Sequence, residues 1–310
     1  MNMEVFEVDG NQSVQALLCM ARSRGTPSLW FLMVSNIFLA ITSTWGNTLI
    51  LIALSKESSL HPPSKILLRS MALTDVFTGI FLEPLVVMAL ATVQYRNFSL
   101  CFYIIILCSF IGMPLFFTSL FTLAAISVDR LLALLLGVRY RQVVTCKRVL
   151  LVVICFWTLG VGLPFGGFFN SIILPYCGSI AVTLCLVIST CCYSRIYQKL
   201  HRHQVQVLEH VHRGQRNRHQ SLNMARYRKT VSSALWVQFT VLACYLPTGI
   251  VLVTMVVKGI SLSLLVVWIF TTTLALLNSS LNPILYCWKM REVRRAVINT
   301  VKNIFCSFSG

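Results

Sequence analysis

Long apolar runs separated by short polar segments make up most of the chain. About 20 apolar residues cross the ~30 Å hydrocarbon core of a bilayer. Five runs of that length lie at residues 30–54, 70–93, 101–134, 230–257 and 262–287. Two more lie within residues 149–194, a stretch of 46 residues without Asp, Glu, Lys or Arg, and Phe165–Ser171 predicts a short turn between them. We therefore predict an all-α membrane protein with a seven-transmembrane helix bundle.

The polar segments divide the chain around this bundle. His201–Lys229 is strongly basic and predicts the longest loop. After the seventh span, apolar residues recur at intervals of three and four from Met290 to Val301, which predicts an amphipathic helix on the inner membrane surface. We predict an extracellular N-terminus at residues 1–28, a transmembrane domain at 29–287, and a cytoplasmic amphipathic helix and tail at 288–310.

Charge predicts the orientation of the bundle. Only 11% of the residues are charged, against roughly 25% in soluble domains, yet the formal net charge is +17. The tail and the loops after spans one, three and five, with Arg130, contain 22 of the 26 Lys and Arg residues, which places the N-terminus outside. The glycosylation acceptors Asn11 and Asn97 then lie on the outer side. Anionic inner-leaflet lipid and an acidic partner account for the basic excess without nucleic acid.

The cysteines do not predict a metal site or an enzyme. The chain has 12 cysteines, but most lie inside apolar runs, where they behave as small hydrophobic residues. We find no cysteine or histidine spacing typical of zinc, no nucleophile–base spacing and no phosphate-binding glycine loop. Cys306, after the predicted surface helix, is a palmitoylation candidate.

Two sites place charge inside or at the edge of the membrane. Asp129 and Arg130 lie at the inner end of span three, where an ion pair is costly and is therefore a functional candidate. The alternative is an Arg130 that extends to the lipid headgroups. Asp75 lies inside span two, where a lone carboxylate takes a proton or binds a cation. The alternative there is a protonated Asp75 that is hydrogen-bonded to Asn47 and Asn282.

Every span contains a short motif. The motifs are Gly46-Asn47, MALTD at residues 71–75, Ser127-Val128-Asp129-Arg130, Trp157, Tyr193, Cys244-Tyr245-Leu246-Pro247 and Asn282-Pro283-Ile284-Leu285-Tyr286. Together they resemble the rhodopsin-like (class A) G-protein-coupled receptors, and within that family the chain looks nearest to the adenosine and melanocortin branch. The second inner loop and the end of span seven are similar to adenosine receptors, whereas the very short second outer loop and the absence of the usual proline in span five look more like melanocortin or cannabinoid receptors.

The resemblance implies a receptor that transmits the binding of an extracellular small-molecule or lipid-like ligand to a heterotrimeric G protein. Pro247 would kink span six so that its inner half swings outward and uncovers Arg130. The implied switch residues are Asp129, Arg130, Tyr193, Tyr245, Pro247, Asn282, Pro283 and Tyr286. The implied sodium ligands are Asp75, Ser119, Asn278, Ser279 and Asn282. The implied ligand pocket comprises Glu83, Ser109, Gly112, Met113, Phe116, Tyr245 and Leu252.

Several positions depart from the family pattern. The acidic residue that often pairs with Arg130 from span six is missing, which predicts raised basal activity. Leu252 stands where adenosine receptors have an asparagine, so their ligand does not carry over. The apolar pocket with one acid favours a lipid-like or weakly basic ligand, although Glu83 could equally be a neutral helix residue. The family's usual disulfide is replaced by a pairing of Cys101 with Cys19 or Cys177.

Two other functions remain open from the sequence. A pseudo-receptor or heteromer partner of the same fold would lack signalling, which the altered span-six motif allows. A membrane transporter is the alternative from another class, but the internal repeats and matching broken helices typical of transporters are not found.

Overall fold

A computed structural model of the chain describes residue 19 and residues 27–56, 61–169, 173–212, 218–289 and 291–308. Within these ranges it describes the backbone alone at residues 163–169, 173–174, 203–204, 206–212, 218–235, 237, 289, 291–292 and 303–308. Every regular element in the described residues is helical. This confirms the predicted all-α class.

Seven long helices and one C-terminal helix form most of the described part of the chain. They are α1 Pro27–Lys56, α2 Pro62–Gln94, α3 Phe98–Leu136, α4 Cys146–Phe169, α5 Ile173–His212, α6 Arg218–Lys258, α7 Leu262–Lys289 and α8 Arg291–Phe308. Two short helical segments, Gly137–Arg139 and Tyr140–Val143, follow α3. Within the described side chains, every long helix except α4 contains a stretch long and apolar enough to span a membrane. In α4 the side chains of the last residues lie outside the description.

The predicted long loop at His201–Lys229 is wrong. Helix α5 continues to His212 and α6 begins at Arg218, so most of the segment is helical. The only proline or glycine in this segment is Gly214, and an exposed helix satisfies its backbone hydrogen bonds internally. The change from apolar to polar residues therefore indicates where the lipid ends and does not indicate where the helix ends.

Helix α2 also begins earlier than predicted. Its first residue is Pro62, eight positions before the predicted start at Ser70. Pro62 and Pro63 occupy the first turn, where a missing backbone N–H costs no helical hydrogen bond. The proline pair therefore starts this helix. Further along, α2 contains a π-helical segment at Thr78–Leu82.

Two glycines allow α1 to pack closely against its neighbours. A Cβ at Gly79 of α2 would lie 2.9 Å from the carbonyl oxygen of Ala40, and one at Gly46 would lie 2.9 Å from Pro283 of α7. Nearer the outer end, Leu90 of α2 packs in one cluster with Leu29 of α1. These contacts fix the antiparallel alignment of α1 and α2.

A disulfide joins Cys19 to Cys101 at the first turn of α3, with 6.0 Å between the Cα atoms. Cys177 is a free cysteine. Of the two pairings left open by the sequence, the structure therefore contains the one with Cys19. Because Cys101 is only 1% exposed, the bridge fixes Cys19 against the buried first turn of α3.

Candidate functional site

A cavity of about 540 Å³ lies chiefly between α2, α3, α6 and α7, and residues of α1 and α5 complete its wall. That volume is within the range of small-molecule sites. Six of the seven pocket residues predicted from the sequence line it: Ser109, Gly112, Met113, Phe116, Tyr245 and Leu252. At its deep end the lining includes Ser119 and Ser279, so the cavity extends to two of the predicted sodium ligands.

Glu83 is the exception, and its prediction as a pocket residue is wrong. Its neighbour Leu82 lines the cavity, whereas Glu83 does not and is 0% exposed. The π-helical segment at Thr78–Leu82 adds a residue to the turn before Glu83, which rotates the following side chains relative to a regular α-helix. A short π-helical segment has no clear signal in a single sequence.

Glu83 lies instead at the level of Asn36 in the α1–α2 interface. The contact between Gly79 and Ala40 lies one turn inward, and the cluster of Leu90 with Leu29 lies further outward. Both residues are 0% exposed, and the Glu83 carboxylate oxygens and Asn36 Oδ1 have no hydrogen-bond partner among the described residues. An ionised carboxylate and an amide oxygen can only accept hydrogen bonds, so Glu83 and Asn36 Oδ1 offer each other no donor unless the acid is protonated.

Asp75 lies at the centre of a hydrogen-bond network that joins three helices. Asn282 of α7 donates its side-chain N–H to Asp75 Oδ2 over 2.8 Å. The hydroxyl of Ser43 in α1 donates to the backbone carbonyl of Asp75 over 2.8 Å. Asn47 donates to the carbonyls of Ser43 and Ser279, both at 2.9 Å, and makes no hydrogen bond to the Asp75 carboxylate. The alternative in which Asn47 also binds that carboxylate is therefore wrong.

The remaining predicted sodium ligands surround this network. Ser279 lies next to the Asp75 carboxylate, and Ser119 and Asn278 lie beside Tyr245. Asp75 Oδ1 and both polar side-chain atoms of Asn278 have no hydrogen-bond partner among the described residues, although both residues are buried. Oxygen atoms of this kind are suitable ligands for a hard cation. The residues present therefore fit a sodium ion.

A second hydrogen-bond cluster surrounds Asp129 near the C-terminal end of α3. The Tyr140 hydroxyl donates to Asp129 Oδ1 over 2.5 Å, and the Ser64 hydroxyl donates to Oδ2 over 3.0 Å. His61 packs on the Tyr140 ring with 4.9 Å between centroids. Arg130 is a weaker partner, since its Nε lies 3.9 Å from Asp129 Oδ2. Sequence reasoning found the Asp–Arg pair but missed Ser64 and Tyr140 as its hydrogen-bond donors.

Arg130 lies at the edge of the bundle, with 38% of its side chain exposed. It is within electrostatic range of Tyr193 and Tyr286, the two tyrosines predicted to support it. Tyr193 is buried in a cluster with Ile196 of α5. The Tyr286 hydroxyl is buried and has no hydrogen-bond partner among the described residues. A small movement would therefore allow it to form a bond that this conformation lacks.

Helix α6 is attached to its neighbours on both sides of Pro247. Just after that proline, the Thr248 hydroxyl donates to the Thr271 carbonyl of α7 over 2.9 Å. Towards the inner end, the Trp236 ring lies 6.0 Å from the Trp288 ring of α7. Gln238 donates to the Thr190 hydroxyl of α5 over 2.8 Å. None of these contacts was predicted from the sequence, because each joins residues far apart in the chain.

The predicted modification sites are only partly described. Asn97 is exposed and caps the N-terminus of α3, where its Oδ1 accepts a hydrogen bond from the Leu100 N–H. Asn11 and the side chain of Cys306 lie outside the described residues.

We predict that Tyr140→Phe destabilises the inner end of α3. The change removes the Tyr140 hydroxyl that donates to the buried Asp129 carboxylate. A hydrogen bond to a charged group contributes about 1.5–3 kcal/mol, so the thermal midpoint should fall by about 3–10 °C. Thermal unfolding of the purified protein in detergent measures the effect. Tyr103→Phe, at an exposed tyrosine of α3, is the control. Equal midpoints for the two variants would contradict the prediction.

Comparisons with known proteins identify the family. A family model described as "7 transmembrane receptor (rhodopsin family)" matches residues 46–186 and 167–286. The chain is similar to adenosine receptor A2b of Bos taurus, with 32% identity over 51% of this chain and 48% of the relative. It is also similar to adenosine receptor A2b of Homo sapiens, with 30% identity over 49% of this chain and 47% of the relative. The alignment therefore spans about half the length of these curated relatives. The family match covers most of the chain, and the protein belongs to the rhodopsin family of seven-transmembrane receptors.

Proposed function

We propose that the protein is a plasma-membrane receptor that transmits the binding of an extracellular small-molecule or lipid-like ligand to a heterotrimeric G protein. The observation that supports this most directly is the presence of two sites in one bundle. The cavity lies on one side of the Asp75 network, and the partly exposed Arg130 lies at the inner end of α3. Membership of the rhodopsin family makes the protein a receptor and not an enzyme.

The proposed orientation has the N-terminus outside, as the distribution of Lys and Arg predicts. Asn97 then faces the extracellular side and, being exposed, is accessible for glycosylation. Mapping of N-linked glycans in intact cells tests this orientation. A glycan at Asn97 supports it, whereas cytosolic labelling of a cysteine introduced at residue 97 would reverse it.

The proposed mechanism couples the cavity to Arg130 through α6. Tyr245 forms part of the cavity lining and lies two residues before Pro247. Pro247 has no N–H to donate within the helix, which makes α6 easier to bend at this point. A ligand that displaces Tyr245 would favour an outward movement of the inner half of α6. Separation of Trp236 from Trp288 would accompany that movement and leave Arg130 accessible to a G protein.

We predict measurable G-protein activation without ligand. The acidic residue that often pairs with Arg130 from α6 is missing, so one restraint on the resting state is absent. Ligand-free nucleotide exchange on a panel of G proteins should exceed that of Arg130→Ala at equal surface expression. Arg96→Ala, at an exposed arginine near the start of α3, is the matched control. Equal, background-level exchange by the unmodified protein and Arg130→Ala would instead favour the non-signalling pseudo-receptor or heteromer partner.

The Trp236–Trp288 contact should restrain α6 in the resting state. Aromatic pairs contribute about 0.5–1.5 kcal/mol beyond the burial of their area. Trp236→Leu or Trp288→Leu should therefore raise ligand-free activation about two- to tenfold. Ligand-free activation by the double variant should be close to that of either single variant, because each single change already removes the same contact. Trp45→Leu, at a tryptophan of α1 that is 70% exposed, is the control. Additive effects in the double variant would show that the two rings act independently.

We also propose a sodium ion at Asp75, with Ser119, Asn278, Ser279 and Asn282 as further ligands. Three observations support it: the burial of Asp75 and, among the described residues, the absence of a hydrogen-bond partner for Asp75 Oδ1 and for the side-chain amide of Asn278. A bound sodium ion would neutralise the carboxylate and favour the resting packing of α2, α3 and α7. The protonated Asp75 is the competing arrangement.

Sodium should stabilise the purified receptor against heat. Replacing N-methylglucamine chloride with sodium chloride should raise the thermal midpoint by about 3 °C, if sodium is present well above its dissociation constant. Asp75→Asn should abolish this difference, because it removes the only charged ligand. Glu83→Gln should retain it, because Glu83 is not among the proposed ligands. A sodium effect of the same size in Asp75→Asn would place the ion elsewhere.

A further inference from the structure

The cavity wall has no charge among the described residues that line it. The lining contains no Asp, Glu, Lys, Arg or His side chain, and no Asn or Gln either. Its polar groups are hydroxyls, one thiol and the indole N–H of Trp268, distributed among aliphatic and aromatic side chains. The acid that sequence reasoning placed here, Glu83, lies in the α1–α2 interface with its carboxylate fully buried.

Most of the hydroxyls along the wall already have partners. Ser109 donates to the Ile105 carbonyl over 2.9 Å, and Thr273 donates to the Ile269 carbonyl over 3.1 Å. Thr248 donates across to the Thr271 carbonyl. A hydroxyl whose proton is used in this way can only accept a further hydrogen bond. The upper and middle parts of the wall are therefore chiefly a surface for hydrocarbon.

The deep end differs from the rest of the wall. Tyr245, Ser119 and Ser279 come together there, beside the Asp75 network. Thr272 lines the wall above them, and its hydroxyl has no hydrogen-bond partner among the described residues. Rotation of Thr272 about χ1 would turn this hydroxyl towards the cavity. The deep end is therefore the part of the cavity best able to bind a polar group.

We infer that the ligand is uncharged, consists mostly of hydrocarbon, and places one hydrogen-bonding group at the deep end beside Tyr245 and Ser279. This inference rests on the proposed receptor function and narrows it by excluding charged ligands. Asp75 borders the deep end behind Ser279 but does not line the cavity, and the proposed sodium ion, or a proton, neutralises its carboxylate. A charged head group would therefore lose its hydration without meeting an opposite charge in the wall, which is far more costly than burial of a hydrogen-bonded neutral group. An amide or ester of a fatty acid has the required chemistry.

Three probes with the same acyl or alkyl tail test the charge requirement. They are tritiated dodecanoyl ethanolamide, which is neutral, dodecanoate, which is anionic, and dodecylamine, which is cationic. Saturation binding is measured on the full-length receptor in neutral phosphatidylcholine nanodiscs, with empty nanodiscs subtracted. The neutral probe should bind saturably, and both charged probes should bind at least about tenfold more weakly.

A variant pair tests whether the probe occupies this cavity. Ser109→Phe fills the wall and should abolish saturable binding of the ethanolamide. Leu107→Phe adds the same ring two residues away on α3, at a side chain that is 44% exposed and does not line the cavity, and should leave binding unchanged. A third variant, Ser109→Lys, places a cation in the wall and should reverse the preference so that dodecanoate binds best. This gain of binding cannot arise from misfolding.

The outcomes separate this inference from the proposed function. Tightest binding of dodecylamine would mean that a carboxylate is accessible and would overturn the inference. Equal binding of all three probes, or binding that Ser109→Phe leaves intact, would also overturn it. Failure of the neutral probe to bind would overturn it as well. In each case the proposed function still stands if ligand-free G-protein activation on the same preparation depends on Arg130.

Discussion

The hydrogen bond from Asn282 to Asp75 joins α7 to α2 in the middle of the bundle. Inside a membrane neither lipid nor bulk water offers these groups another partner, so the helices must supply one another. Ser43 and Asn47 extend the network to α1 through the carbonyls of Asp75 and Ser279. Three helices are thereby fixed in one arrangement. Gly46 and Gly79 permit it, because a Cβ at either position would collide with the neighbouring helix.

The two ends of the bundle depend on this centre in different ways. On one side, Tyr245, Ser119 and Ser279 form the deep end of the cavity and at the same time border the Asp75 network. A ligand that reaches this depth therefore contacts the residues that hold the helices together. On the other side, Tyr286 lies four residues after Asn282 on the same helix, and its buried hydroxyl has no hydrogen-bond partner in the part of the chain that the structure describes. A shift of α7 relative to α2 would therefore move both Ser279 at the cavity and Tyr286 at the other end.

The inner end differs from the simple Asp–Arg pair that the sequence motif implies. Asp129 is held chiefly by Tyr140 and Ser64, which come from the segment after α3 and the start of α2. The carboxylate therefore keeps two hydrogen bonds whether or not Arg130 stays near it. This lowers the cost of releasing Arg130. Among the described residues, the contacts that retain α6 include the aromatic pair with α7, the hydrogen bond from Gln238 to α5 and the hydrogen bond from Thr248 to α7.

Residue order alone determined the helical class and the number of spans, because a charge-free run of membrane length has few alternatives. The family resemblance carried by its motifs implied six of the residues that line the cavity, among them Gly112 and Phe116 of α3. The length of an apolar run did not predict where a helix ends beyond the membrane. At Lys199–His212 the residues become polar, but the helical hydrogen bonding of α5 continues.

Tertiary structure decided the rest. A π-helical segment turned Glu83 away from the cavity, and that single rotation removes the only acid from the predicted ligand site. Tyr140 and Ser64 form hydrogen bonds to Asp129 from two other segments of the chain. The Trp236 ring of α6 packs against the Trp288 ring of α7. Such contacts depend on how whole helices are rotated about their axes and how far apart they lie. The sequence of each helix therefore determines which side chains are available for contact, and the packing of the bundle determines which of them meet.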